Sequence, residues 1–116
     1  MTPQRMWHVT LTLSGTPHSA PTVRAAMERL AEQHAFLHSL RYGRDRAEIS
    51  YWEQADEMLD AAAMAMRVWN EHRDSAGLPK WEVVGLEVLE RETFQARGGE
   101  PSRPSLGVYR PTPQPF

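Results

Sequence analysis

Between Trp7 and Leu13 the odd positions Trp7, Val9, Leu11 and Leu13 are apolar, and the even positions His8, Thr10 and Thr12 are polar. Side chains alternate across a strand, so such a stretch buries one face of a sheet and leaves the other uncovered. Whatever this chain folds into must therefore contain a sheet with one bare side.

The hydrophobic period then changes along the chain. Ser14-Gly15-Thr16-Pro17 reads as a loop, and Ser19 caps a helix from about Ala20 to His34, whose first turn tolerates Pro21 because that N–H would lack a partner anyway. Val23, Met27, Leu30, Ala31 and His34 form its buried stripe, with Arg24, Glu28, Arg29 and Glu32 on the wet side. Phe36 to Tyr42 and Ala47 to Trp52 are rich in aromatic and β-branched residues and are joined by Gly43-Arg44-Asp45-Arg46, which predicts a hairpin. The alternative for residues 36–42 is a continuation of the first helix as far as Leu40, which would leave three strands. A second helix opens on Asp56, Glu57 and Asp60, acids well placed against the positive end of its dipole, and ends at Gly77 and Pro79. It continues through Met58, Leu59, Ala62, Ala65, Met66 and Trp69 at i, i+3, i+4 spacing, and Met58, Met66 and Trp69 on this buried stripe are expected as core filling rather than a soft ligand pocket. Trp81 to Leu89 is a final strand, with Val84, Leu86 and Val88 facing one way and Val83, Gly85 and Glu87 the other.

The order is β1-α1-β2-β3-α2-β4. Two right-handed βαβ units joined by a hairpin give an α+β, ferredoxin-like two-layer sandwich: an antiparallel sheet of order 4-1-3-2 with both helices on one face. Five of the nine prolines fall after residue 100, so the chain divides into a body, 1–96, and a Pro/Gly-rich tail, 97–116, expected to be extended or disordered. Arg97, Arg103 and Arg110 against Glu100 give the tail a net charge of +2, which leaves −4 on the body out of a total of −2. Pro101-Ser102-Arg103-Pro104 and 110–115 are compatible with polyproline recognition, and Leu106, Val108 and Tyr109 with an extra strand packed on the body.

Composition excludes much chemistry. With no cysteine there is no disulfide, no thiolate metal site and no cysteine nucleophile. The opening residues do not resemble a signal peptide and no segment reaches the roughly 20 apolar residues of a membrane span, so a cytoplasmic protein without a membrane partner is expected. No Gly-x-Ser-x-Gly elbow or phosphate loop is present. Nucleic acid is not an expected partner either, since the body is acidic and Trp52 is the one aromatic assigned to the bare face.

Function is sought on that bare face, where alternation puts His8, Thr10, Thr12, Glu48, Ser50, Trp52, Val83, Gly85 and Glu87. Its mixture suits a partner subunit or a shallow ligand site. His8 beside Glu48 or Ser50 is the nearest approach to an acid/base pair, since a carboxylate orients an imidazole and raises its pKa. No metal site is expected: His8 and His38 sit two strand spacings apart, about 9.5 Å at Cα, and His38 shares the parity of Phe36, Leu40 and Tyr42, the buried set. The arrangement is similar at fold level to regulatory ligand-binding modules and to dimeric α/β-barrel monooxygenase-like proteins. The leading expectation is a non-enzymatic, cofactor-free domain that dimerises through the open sheet face and binds a small molecule or protein there. The alternative is a small cofactor-independent enzyme of dimeric α/β-barrel type, using His8 with Glu48 or Ser50.

Overall fold

A computed structural model describes residues 5–33, 37–75, 77, 80–97 and 112–116. In order they form β1 (Met6–Ser14), α1 (Ala20–Gln33), β2 (Leu37–Tyr42), β3 (Arg46–Gln54), α2 (Met58–Ser75), β4 (Glu82–Glu90), α3 (Arg91–Ala96) and β5 (Gln114–Pro115). The strands make one open five-stranded sheet of order β4-β1-β3-β2-β5, antiparallel except where β5 runs parallel to β2. This is an α+β fold, compatible with two layers.

Residues 36–42 are settled as strand from Leu37 onward; Phe36 lies outside the described residues, as do His34, the PxxP run at 101–104 and Leu106, Val108 and Tyr109. Two elements differ from the expected set. The end of the tail is a strand, fixed by Arg41↔Gln114 and Tyr42↔Pro115 pairing and by Phe116 N donating to Tyr42 O at 2.9 Å, and it extends the sheet beyond four strands. Proline is admissible there because β5 is an edge strand, which needs donors on one side only. The other addition is α3, directly after β4.

The core lies between the sheet and the long helices. Val9, Leu11, Leu13, Leu37, Leu40, Ala47, Ile49 and Tyr51 meet Val23, Met27 and Leu30 of α1 and Ala65 and Trp69 of α2. At the start of α1, Ser19 Oγ accepts from Thr22 N at 3.3 Å, the cap its sequence implies. Below α2, Trp69 Nε1 donates to Trp81 O at 3.0 Å and Trp81 Nε1 to Thr16 O at 2.8 Å, so two buried indoles lock α2, β4 and the β1–α1 loop together. That loop is intolerant of side chains: a Cβ on Gly15 would lie 2.5 Å from Trp81 Cδ1. Gly15→Ala is accordingly expected to destabilise the protein by about 1–3 kcal/mol in chemical denaturation, as overpacked sites do.

The stripe on α2 is not the expected one. Ala65 and Trp69 are buried as expected, but Met58, Leu59 and Met66 are 49%, 78% and 41% exposed, and Ala61 joins Ala65 in the sheet-facing positions, both at 0%. From Met58 to Trp69 the helix is apolar nearly all round, so periodicity does not choose a face. The choice falls to size: alanines at i and i+4 let the backbone come close to the sheet, and Trp69 fills the space beyond.

Candidate functional site

Strand register decides which side chains share the open face. Antiparallel pairing sets His8 opposite Trp52 and Leu89, Thr10 opposite Ser50 and Glu87, and Thr12 opposite Glu48 and Gly85. Directly opposed residues project to the same side. His8, Thr10, Thr12, Glu48, Ser50, Trp52 and Glu87 are thus gathered on one face, as alternation implies. Val83 is not among them. A bulge between Thr12 and Leu13 pairs Leu13 with Val83, which packs against the core on the helix side.

A second bulge, between Leu37 and Ser39, changes the assignment of His38. Leu37 and Leu40 are both buried while His38 and Ser39 between them are half-buried, so the extra residue breaks strict parity and frees His38 from the core set. His38 Nδ1 lies 3.2 Å from His8 Nε2, their rings edge to face at 5.4 Å. The two strand spacings between them are bridged by imidazoles that lean together.

One end of the face is roofed. Phe94 of α3 stacks on His8 with centroids 3.9 Å apart and planes at 24°, and meets Trp52 edge-on at 5.2 Å. Trp52 also meets His8 edge-on at 5.0 Å. Glu90, at the junction of β4 and α3, pairs with Arg5, and Arg97 beyond the helix reaches Glu87 at 3.8 Å. A lone aromatic in Arg91-Glu92-Thr93-Phe94-Gln95-Ala96 has no period, so nothing in the sequence singles out Phe94 beyond its being the one apolar bulk in a polar stretch.

His8 is only 5% exposed, and its Nδ1 has no hydrogen-bond partner among the described residues. Burial, assisted by neighbouring His38, lowers its pKa from the ordinary 6.5 to about 4, so the ring is neutral at pH 7. The expected acid/base pairing with Glu48 does not form: Glu48 faces Thr12, four residues along the strand from His8, or about 13 Å away. Ser50 faces Thr10 instead, with Oγ to Oγ1 at 3.2 Å. Among the described residues no group of three or more His, Cys, Asp or Glu is arranged to hold a metal ion.

Beyond the roof, among the described residues, the face is open and polar. Thr10, Thr12, Glu48, Ser39 and Gly85 are half-buried, and Glu87 and Arg41 are exposed. Arg41 stands opposite Glu48 and lies under the Phe116 ring at 5.2 Å, so the C-terminus borders the far edge. Gly85 forms a notch in this ledge, its missing Cβ lying 3.1 Å from Thr12 Cβ. The exposed apolar side chains Met58, Leu59, Met64 and Met66 belong to α2.

Fold and face together define an α+β sheet protein whose open side has an aromatic–histidine end under a short helix and a ledge of hydroxyls and charges. A family described as "Domain of unknown function (DUF8830)" matches residues 6–105, and the chain belongs to that family. No curated protein matches it. Among the described residues no helix is long and apolar enough to cross a membrane.

Proposed function

We propose that the chain is a non-enzymatic binding domain, a ferredoxin-like sandwich extended by α3 and β5, whose open sheet face takes a small amine- or hydroxyl-bearing molecule. One observation carries this reading: the half-buried hydroxyls of Thr10, backed by the buried Ser50, and of Thr12 stand in register between the Glu48 and Glu87 carboxylates. Hydroxyls accept and donate, and flanking carboxylates favour a donor or a cation. Trp52 and Phe94 form an apolar stop at one end of the ledge, against which a nonpolar portion of the ligand would rest. The sequence also points to this face as the seam for a second copy. Its uncovered positions carry polar rather than apolar side chains, which favours a small polar ligand over an apolar seam.

An acid/base enzyme has less support. Among the described residues His8 is covered by Phe94 and stands opposite Trp52 and Leu89 rather than a carboxylate, and Glu48 stands at the other end of the face.

The test is a thermal-shift screen of the full chain against small amines and polyols, repeated with Thr12→Val and Glu48→Gln. A compound present at about 100 times its Kd stabilises by about 2.7 kcal/mol. The expected outcome is a hit whose stabilisation is lost in both variants while their unliganded melting is unchanged. Hits indifferent to both substitutions would place binding elsewhere.

A further inference from the structure

The two sides of α2 are built differently. Ala61, Ala65 and Trp69 are buried, while Leu59, Ala63, Met66 and Asn70 are exposed and, at 100° per residue, project about 100–160° away from the centre of that buried side. Leu59 is 78% exposed, more than any other large apolar side chain described. The intervals from Leu59 to Ala63, Met66 and Asn70 are four, three and four residues, the repeat of a coiled-coil seam.

We infer that a second copy of this chain covers this face, α2 packing antiparallel on α2 about a two-fold axis. Three features make the stripe complementary to itself. With the axis midway between Ala63 and Met66, Met66 falls opposite Ala63 of the second copy and Leu59 opposite Asn70, so a large side chain meets a smaller one in each layer. Ala63 lets the helices approach closely. Asp60, next to Leu59, and Arg67, about one turn before Asn70, flank the seam on the same side, and both are exposed. The two-fold brings Asp60 to within about 3 Å, along the axis, of Arg67 of the second copy, and the symmetric pair forms with it. In a parallel arrangement Asp60 and Arg67 would lie across the seam from their counterparts, on opposite sides of the interface, and neither pair would form. Self-complementary charge and size under a two-fold axis are what an isologous interface requires. The contact lies on the helical layer, away from the open sheet face, and leaves the proposed ligand ledge free in both copies.

Sedimentation equilibrium on the full chain, from micromolar to near-millimolar concentration, tests this. A reversible dimer is expected. Ala63→Arg, at an exposed helical position, should give a monomer with unchanged circular dichroism. Asp60→Arg should weaken association at least about tenfold, and adding Arg67→Asp to it should restore the affinity by rebuilding the pairs in reverse. Thr12→Arg, on the open face, should leave the dimer intact. A monomer at every concentration, a dimer indifferent to Ala63→Arg, or one abolished by Thr12→Arg would overturn the inference.

Discussion

Replacing Trp69 by alanine is expected to cost about 3–5 kcal/mol in equilibrium denaturation, among the largest losses any single substitution here should produce. Trp69 is 2% exposed and is the large residue of α2 that fills the space beyond Ala61 and Ala65. Its removal opens a cavity between α2 and the sheet and leaves Trp81 O without the indole donor at 3.0 Å. Trp69→Phe separates the two effects: it keeps most of the volume and loses the hydrogen bond, so it should cost about 1–3 kcal/mol. A Trp69→Ala loss below about 1 kcal/mol would mean that α2 is not seated as described.

The second large effect is on pH dependence. His8 has its pKa lowered from 6.5 to about 4 by burial and then by His38. Between those values the unfolded chain binds the proton and the folded chain does not, so stability rises with pH through this window. The contribution is therefore fully present above pH 6.5 and is lost as the pH falls toward 4. After allowance for solvent screening around the ring, the loss should be about 2 kcal/mol. Denaturation curves at a series of pH values should show this slope, and His8→Phe, which retains an aromatic ring between Trp52 and Phe94, should flatten it. Phe94→Ala should raise the pKa of His8 toward its ordinary value in an NMR titration, because the stacked ring at 3.9 Å is part of what keeps water away. An unshifted His8 in the intact protein would contradict the roofed geometry.

Much of the layout is visible in the residues themselves. The alternation from Trp7 to Leu13 assigns both sheet faces correctly on β1, because neither bulge alters its own parity and every odd side chain is buried. Ser19 and the stripe of Val23, Met27 and Leu30 likewise define α1 unaided. Where reading by period fails, an irregularity intervenes. One extra residue in β2 turns His38 toward His8, and one in β4 turns Val83 toward the core. A bulge leaves no compositional mark, so the contact of His8 with His38 on the open face is invisible to pattern reasoning. On α2 the apolar residues surround the helix, and only packing against the sheet chooses alanines over methionines for the inner face. Phe94 and β5 owe their positions to contacts distant in sequence, with β1 and β2 respectively.

If recognition takes place on the open sheet face, beside the end that Phe94 roofs, a bound ligand should perturb that face and not the helical layer. Amide chemical-shift mapping, with the full chain titrated by the strongest amine or polyol hit, tests it most directly. Saturable shifts at Thr10, Thr12, Ser50, Trp52 and Gly85, with α1 and α2 undisturbed, are the predicted result. Saturable shifts confined to the helical layer, with those five amides unmoved, would contradict it.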